Sequence, residues 1–329
     1  MFEKNDKKLE LSTAMLINAA EHRGIAVEIL DAEDNFIRLK KGDKIEYVKQ
    51  ATRTSADTYI APLIMENKEV TKLVLREKGI NVPAGIKVKS AAEAMVYYEE
   101  FRGKDIVVKP KSSNFGLGIV IHKNLQCESC YQMAVIQAFT HDTAVLIEEF
   151  IPGKEYRFLV IGDEVVGILH RVPANVVGDG VHTIEALVAE KNLNPLRGKG
   201  YVTPLEKLRL DHTEIAFLSE QSKSIETIPG PGETVYLREN SNISTGGDSL
   251  DFTDEIIAAY KAIAVKAAQA VGAKICGADI IIHDIQEPPT DNNYSIIELN
   301  FNPALHIHNY PFVGKNRHVD DKVLDLLGF

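Results

Sequence analysis

Two apolar stretches near the end of the chain, residues 277–282 and 296–303, are predicted to form neighbouring buried strands. They carry four oxygen-bearing side chains: Asp279, Glu298, Asn300 and Asn302. Side chains alternate along a strand, so the last three would share one face, and the aspartate could meet them from the adjacent strand. Carboxylate and amide oxygens suit Mg²⁺ rather than Zn²⁺, and Mg²⁺ held in this way usually completes its shell with nucleotide phosphates. The alternative is a polar strand end at a solvent edge.

A lysine followed by a glycine-rich loop indicates a second phosphate-binding element. Residues 106–110 are predicted to form a buried strand containing Lys109, and residues 112–118 follow with the sequence Ser-Ser-Asn-Phe-Gly-Leu-Gly. Small residues let backbone N–H groups close on an anion, while the lysine supplies a point charge. The loop lacks the terminal Gly-Lys-Ser/Thr of a Walker A motif, and an ordinary turn is the alternative. Lys72, on the preceding helix, could reach the same phosphates, or it could be a solvated surface lysine.

A third segment, residues 145–157, is predicted to join two structural units. An apolar strand ends in Glu148 and Glu149, and a Pro-Gly turn then leads to Glu155. An adenine ring could bind at such a hinge through backbone groups and a carboxylate, and the later glutamate could bond the ribose hydroxyls. Taken alone, the segment is equally compatible with an edge strand that carries solvated acids.

Short strands and helices must position these residues, and together they predict an α+β protein. The middle of the chain, from Val82 to Phe150, contains alternating short strands and helices that form a unit of their own. Residues 36–39 and 45–48 flank a hairpin turn. A helix is predicted over residues 66–78, and a longer one over residues 253–271, just before the metal strands.

The composition excludes several classes of protein. The chain has 329 residues, 45% hydrophobic and 26% charged, with a formal charge of −10, which argues against a nucleic-acid-binding surface. No apolar run approaches the roughly 20 residues of a membrane span, and the first residues lack the apolar core of a signal peptide, so we expect a cytoplasmic protein without membrane contact. Cys127 and Cys130 have CxxC spacing, but no second pair accompanies them. We therefore expect these two and Cys276 to be reduced and structural.

The order of these motifs resembles the ATP-grasp ligases over about residues 61 to 313. Within that superfamily, residues 170–184 (HRVPANVVGDGVHTI) and 242–247 (NISTGG) are similar to cyanophycin synthetase and to the glutathione synthetase module of bifunctional glutathione-forming enzymes. The ending NFNPALHIHNYP, residues 300–311, favours the second. The resemblance implies the ATP-grasp fold, in which a nucleotide is held between a small α+β lid subdomain and a larger subdomain with a mostly antiparallel sheet.

The resemblance also implies roles for individual residues. Phosphate contacts would come from Lys72, Lys109, Ser112, Ser113, Gly116 and Gly118. Adenine would be held by Glu148, Glu149 and the Ile151 backbone, ribose by Glu155, and two Mg²⁺ ions, for which Mn²⁺ can substitute, by Asp279, Glu298 and Asn300. Candidates for the reacting groups are Arg171 for a substrate carboxylate away from the metals, Arg238 for the γ-phosphate, and Asn242 with the 244–247 backbone for an acyl phosphate. Some relatives place an arginine two residues before the metal aspartate, where this chain has Gly277.

The activity that the resemblance implies is ATP-dependent ligation of γ-glutamylcysteine and glycine to give glutathione, ADP and phosphate. A cyanophycin-synthetase-like amino-acid ligase and a non-catalytic ATP-binding regulatory module are the alternatives. Three segments are expected: residues 1–60 as a short α/β remnant of, or linker to, a fused partner, residues 61–152 as the small lid subdomain, and residues 153–329 as the large subdomain. The expected partner is a glutamate–cysteine ligase domain. A homodimer is one assembly compatible with the sequence.

Overall fold

The computed structural model describes residues 9–111 and 118–329. The N-terminal unit consists of one helix and three strands: α1 (Leu11–His22), β1 (Ala26–Asp31), β2 (Phe36–Lys41) and β3 (Lys44–Lys49). The strands form an antiparallel sheet in the order β1-β2-β3, and the predicted hairpin is confirmed. Its turn contains Gly42 at a φ of +60°, a conformation that glycine adopts without steric cost.

The next part of the chain contains two helices and then a small four-stranded unit. Its elements are α2 (Ile60–Glu66), α3 (Lys68–Glu77), β4 (Gly85–Val88), α4 (Ala91–Val96), α5 (Tyr98–Phe101), β5 (Ile106–Pro110), β6 (Val120–His122), α6 (Glu128–Phe139) and β7 (Val145–Glu149). The sheet is antiparallel in the order β4-β7-β5-β6. Helices α4, α5 and α6 cover it, with Tyr131 and Phe101 buried in the core between them.

The third and largest part is built on a five-stranded sheet. Its elements are β8 (Lys154–Ile161), β9 (Glu164–Val172), β10 (Asn175–Val177), α7 (Ile184–Lys191), β11 (Arg197–Gly198), β12 (Leu205–Glu206), α8 (His212–Glu220), β13 (Thr234–Tyr236), a 3₁₀ turn (Ile243–Thr245), β14 (Asp248–Asp251), α9 (Ala258–Ala270), β15 (Ile275–Ile282), β16 (Tyr294–Asn300), α10 (His306–Asn309) and α11 (Val319–Leu326). The sheet order is β14-β9-β8-β15-β16, and all of its neighbouring pairs are antiparallel. The predicted α+β architecture with a mostly antiparallel large sheet is confirmed.

The two faces of this large sheet are covered by different parts of the chain. Phe158 and Val160 of β8 point into a core shared with α9. Leu159 and Ile161 alternate with them and point into a second core, where the N-terminal unit and α11 meet the sheet. Because side chains alternate along a strand, both faces of the second half of β8, residues 158–161, are apolar and buried.

The N-terminal unit is thereby packed against the large unit. Its buried residues Leu16 and Ile37 share one core with Ile275 of β15 and with Val323 of α11. At the surface, Arg23 donates to Asp321 and Asp325 on α11, the second at 2.7 Å. The expectation of a remnant or linker over residues 1–60 remains untested, but from residue 9 onward this segment has an extensive apolar interface.

Helices α2 and α3, which the sequence assigned to the small subdomain, pack on the large sheet. Ala61, Met65 and Leu75 are buried in the core that contains Phe158. The core of the four-stranded unit begins only at Val88. The predicted boundary at residue 61 therefore stays a prediction, and on packing grounds we propose that the small unit begins at β4.

Two expectations on local structure are wrong. Helix α9 begins at Ala258 rather than at Thr253, because the Thr253 hydroxyl bonds Asp251 at 2.6 Å and accepts from the Ile168 N–H, which holds the preceding residues in a turn. Cys127 and Cys130 form a disulfide across the first turn of α6, where residues three apart are neighbours, with a Cα–Cα distance of 5.2 Å. Cys276 is a free thiol as expected, and its burial raises its pKa to about 12. None of the described helices combines the length and apolar character that a membrane crossing requires.

Candidate active site

The predicted metal residues lie on the two adjacent strands β15 and β16. Asp279 stands directly opposite Glu298 in the antiparallel register, and Asn300 stands opposite Gly277. Directly opposed residues have Cβ atoms about 4.5–5.5 Å apart, so the two carboxylates face one small volume. The predicted meeting of the aspartate and the glutamate across two strands is confirmed, whereas their metal-binding role stays a prediction.

Asn302 does not continue this row, which corrects the expected alignment of three side chains. Strand β16 ends at Asn300. The Asn302 side chain turns to the N-terminal unit, where its Oδ1 accepts from the Thr52 hydroxyl at 2.6 Å and its Nδ2 donates to Gln50 at 3.3 Å. The physical reason is that the period of two applies only while the backbone remains extended.

Two arginines neutralise the buried carboxylate of Asp279. Arg157, opposite it on β8, donates through Nε and, at 2.6 Å, through Nη2, and Arg171 of β9 donates at 3.2 Å. Burial raises the pKa of Asp279, but the charges of the two arginines outweigh this effect and hold its pKa below the usual value. Arg171 also donates to Glu155. The expectation that Arg171 lies away from the metal residues is therefore wrong.

Gly277 occupies the position at which some relatives carry an arginine, and in this chain Arg157 takes the space beside it. A Cβ atom added at Gly277 would lie 3.3 Å from Cδ of Arg157 and 3.1 Å from Cβ of Pro303. The side chain of Arg157 thus crosses the space above the glycine. An arginine reaches Asp279 from the neighbouring strand β8 instead of from two residues before it on β15.

The two predicted phosphate lysines converge on one carboxylate. Lys72 of α3 and Lys109 of β5 both contact Glu148 of β7, the second at 2.9 Å, and the three side chains are 11%, 17% and 6% exposed. Burial and the like charge of Lys109 lower the pKa of Lys72 to about 8, although Glu148 opposes this. Burial raises the pKa of Glu148, but the two lysines bring it below its usual value. Glu148 is thus committed to the lysines, and its predicted contact with adenine is untested.

The remaining predicted nucleotide residues lie along the connection between the two sheets. Glu149 ends β7, Ile151 lies between β7 and β8, and Glu155 lies on β8 with its carboxylate bound by Arg171. Gly118 has a φ of +74°, and an added Cβ atom would lie 2.6 Å from the His141 ring, so this position requires glycine. Three predicted phosphate-binding residues fall outside the described part of the chain: Ser112, Ser113 and Gly116.

The predicted acyl-phosphate segment forms a tight turn beside Arg171. Residues 243–245 form a 3₁₀ turn after Asn242, and Gly246 follows with a φ of +93°. A Cβ atom at Gly247 would lie 2.9 Å from the carbonyl oxygen of Val172, the last residue of β9, so the turn packs against the strand that carries Arg171. This close approach is the physical reason for glycine at position 247.

Arg238 has a different environment from the other predicted residues. Its Nε donates at 2.5 Å to Glu214, a buried residue of α8. Within the described part of the chain, Arg238 pairs with this glutamate and with no member of the Asp279 cluster. The predicted contact with the γ-phosphate stays a prediction, and the arginines that the structure brings to Asp279 are Arg157 and Arg171.

A cavity of about 470 Å³ adjoins the arginine cluster. Five parts of the chain line it. They are the N-terminal unit through Glu10, Ser12 and Gln50; the sheet through Arg157 and Arg171; the loop around Tyr201, Thr203 and Glu206; the turn that carries Asn242 and Ser244; and the segment from Asn302 to the start of α10 at His306. The volume lies within the range of small-molecule binding pockets, about 300–1,000 Å³.

Sequence reasoning missed several of these residues. Arg157 had a detectable signal, because it is a charged residue inside the apolar strand sequence of β8. Lys68, which contacts Glu298 at 3.2 Å, lies one helical turn before Lys72 and could have been found by helical spacing. Glu10 and Gln50 gave no signal, because they reach the cavity only through a contact between segments about 250 residues apart.

The donor set fits a divalent cation that is also coordinated by phosphate. It does not fit a cation coordinated by protein side chains alone. Within residues 9–111 and 118–329, no cluster of three or more His, Cys, Asp or Glu side chains is arranged to hold a metal ion. The predicted set offers two opposed carboxylates and the amide of Asn300, whose nitrogen is buried without a partner in the described chain. Mg²⁺ is commonly held by one or two carboxylates plus phosphate oxygens, so this set is sufficient.

Two family models match consecutive parts of the chain. An ATP-grasp-like domain matches residues 7–60, and a RimK-like ATP-grasp domain matches residues 65–179. Together with the two antiparallel sheets and the lysines and carboxylates between them, these matches define the chain as an ATP-grasp protein. The predicted family and fold are confirmed.

Within that class, the chain is similar over nearly its whole length to proteins called glutathione biosynthesis bifunctional protein GshAB. It is 54% identical over 323 residues to that of Desulfotalea psychrophila, covering 98% of this chain and 42% of the relative. It is 58% identical over 319 residues to that of Clostridium perfringens, covering 97% and 41%. The crystal structure of a bifunctional glutathione synthetase from Pasteurella multocida matches with a TM-score of 0.81 at 48% identity, covering 97% of this chain and 43% of that one. The chain thus spans less than half the length of these relatives.

Proposed function

We propose that this chain is an ATP-dependent ligase that joins γ-glutamylcysteine to glycine and produces glutathione, ADP and phosphate. The observation that carries the proposal is the pair of opposed carboxylates, Asp279 and Glu298, beside an arginine-lined cavity. Similarity to the glutathione biosynthesis proteins along 97–98% of the chain supports the choice of substrates.

The proposed roles follow from where the side chains lie. Lys72 and Lys109, already close together on Glu148, present positive charge to the phosphates of ATP. Arg157 and Arg171 lie at the carboxylate of Asp279 and would stabilise negative charge that develops on the transferring phosphoryl group and the acyl phosphate. Catalysis in this scheme depends on positioning and charge, without a covalent enzyme intermediate.

Asp279, Glu298 and Asn300 are the residues that would hold Mg²⁺, and Mn²⁺ is expected to substitute. When bound, the metal supplies charge neutralisation for the phosphates. Arg171 already contacts Asp279, one of the proposed metal ligands. When the site fills, its guanidinium would stay near this carboxylate and turn toward the phosphate. Asn242 and the turn that follows it line the cavity next to this position and would cover the acyl phosphate.

Product analysis tests the proposal directly. The purified chain is incubated with Mg-ATP, γ-glutamylcysteine and an equimolar mixture of glycine, aspartate and arginine, and the products are identified by mass spectrometry. Glutathione together with one ADP per product is expected. Addition of aspartate or arginine would instead indicate a ligase of the cyanophycin type, and ATP binding without any product would indicate a regulatory module.

The length of the relatives and the positions of two site residues support proposals for the partner and for the subdomain roles. The relatives are named bifunctional and are more than twice as long as this chain, which supports a fused or separate glutamate–cysteine ligase as the source of γ-glutamylcysteine. We propose that the four-stranded unit acts as the lid over ATP, since it contributes Lys109 and Glu148. The use of ATP favours the cytoplasmic location expected from the sequence.

A further inference from the structure

We propose that the N-terminal unit recognises the free α-ammonium group of the acceptor dipeptide, with Glu10 as the specificity-determining residue. This inference rests on the proposed function, since it names which end of γ-glutamylcysteine meets which wall of the cavity. It begins from the finding that Glu10 and Gln50 line the same cavity as Arg157 and Arg171.

A chain of hydrogen bonds fixes this wall of the cavity. The Gln50 side-chain amide donates from Nε2 to the carboxylate of Glu10 at 2.9 Å. Its Oε1 accepts from Asn302 at 3.3 Å. Asn302 in turn accepts from Thr52 at 2.6 Å. The Glu10 backbone N–H donates to Asn35 at 2.6 Å, which attaches the residue to the N-terminal sheet as well. The carboxylate is therefore held in place at the cavity without a cationic partner among these contacts.

The charges on the cavity walls differ in sign. Arg157 and Arg171 supply the cationic wall, and both contact Asp279. The carboxylate that is to be activated must lie there, next to the phosphate-transfer site. Glu10 supplies an exposed carboxylate on the separate wall formed by the N-terminal unit. A dipeptide whose carboxylate end lies at the arginines would extend its glutamyl end toward another wall, by up to about 3.5 Å per residue.

The glutamyl end of γ-glutamylcysteine carries an ammonium group because its linkage uses the side-chain carboxyl. An ammonium requires an acceptor, and a carboxylate is the strongest one available. The other amine in the reaction, that of glycine, must lie beside the activated carboxyl in order to attack it. Glu10 therefore suits the amine that does not react.

The test compares two acceptors that differ only in this amine. Glutaryl-cysteine has the shape and both carboxylates of γ-glutamylcysteine but carries hydrogen in place of the α-amino group. We expect the wild-type chain to prefer γ-glutamylcysteine by about 10- to 100-fold in kcat/KM, as loss of one charged hydrogen bond predicts. In Glu10→Gln this preference should shrink by about the same factor. Glu33→Gln, which changes an exposed acid of the same unit, is the matched control and should keep the wild-type ratio.

A direct binding measurement separates this inference from the proposed function. Calorimetry with γ-glutamylcysteine in the presence of Mg-ADP should show weaker binding to Glu10→Gln than to the wild type and the control. If the wild type forms glutathione but Glu10→Gln keeps the full preference, or loses affinity for glycine instead, the inference is overturned and the proposed function stands. If the wild type binds the dipeptide through Glu10 but forms no glutathione, only the proposed function fails. Absence of both binding and ligation would overturn both.

Discussion

Replacing Glu148 with glutamine would remove the carboxylate that Lys72 and Lys109 share. The three side chains are at most 17% exposed, so the two ammonium groups would be left close together with little water to screen them. Removing one partner of a buried ion pair costs about 3–5 kcal/mol. Glutamine keeps the shape and can still accept one hydrogen bond, so we expect the free energy of unfolding to fall by about 3 kcal/mol, toward the lower end of that range.

The nucleotide should compensate for this loss. If the lysines bind phosphates, ATP brings back the negative charge that the variant lacks, and ATP should raise the melting temperature of Glu148→Gln more than that of the wild type. Adenosine, which has no phosphates, should bind both proteins with equal affinity. Glu149→Gln is the matched stability control, because Glu149 is 43% exposed and its contact with Lys104 is 3.8 Å long. Its unfolding free energy should change by no more than about 1 kcal/mol.

Denaturant unfolding and calorimetry with ATP and with adenosine provide the measurements. An unchanged free energy of unfolding in Glu148→Gln would refute the idea that the lysines depend on this carboxylate. A loss of adenosine affinity in Glu148→Gln would show that Glu148 contacts adenine, as the sequence resemblance implied.

Four further predictions address the rest of the site. Glu298→Gln should abolish turnover while preserving the fold, and wild-type turnover at saturating Mg²⁺ would contradict the metal assignment. Because the pKa of Lys72 is about 8, kcat/KM for ATP should fall as the pH rises through that value and the ammonium charge is lost. The pH profile of Lys72→Arg should be flatter. A wild-type profile without this fall would argue against a phosphate contact. Arg171→Lys should lower kcat more than it raises the KM for the dipeptide, since one ammonium cannot contact both Asp279 and Glu155 as the guanidinium does. An effect on KM alone would instead support the role first predicted for Arg171, which is binding of the acceptor carboxylate. Arg197→Met should lower the free energy of unfolding by about 3–5 kcal/mol, because this buried arginine contacts Asp248 and donates to the Gly246 carbonyl. A smaller loss than in Arg38→Met, which removes a partly exposed ion pair between β2 and Glu28 of β1, would contradict the role.

Local residue patterns were sufficient to predict several strands of this protein and the side chains that they carry. Apolar strands that carry Asp279 and Glu298 identified two neighbouring strands and their facing carboxylates, because side-chain alternation is a property of the extended backbone itself. The hairpin after β2 and the strand that carries Lys109 were found in the same way. Motif order then led to the ATP-grasp family without any knowledge of three-dimensional contacts.

Contacts between distant segments decided the rest. Which cation neutralises Asp279 depended on the pairing of β8 with β15, two strands about 120 residues apart, and no local pattern encodes that register. Glu148 pairs with two lysines because a buried carboxylate without a partner would carry a large desolvation cost. The N-terminal unit joined the cavity wall through Gln50 and Asn302, a contact that spans 252 residues. The sequence by itself determined the chemical groups and the strands that carry them, whereas the tertiary structure decided which charges meet, since pairing energies depend on distance and burial that only the packed chain defines.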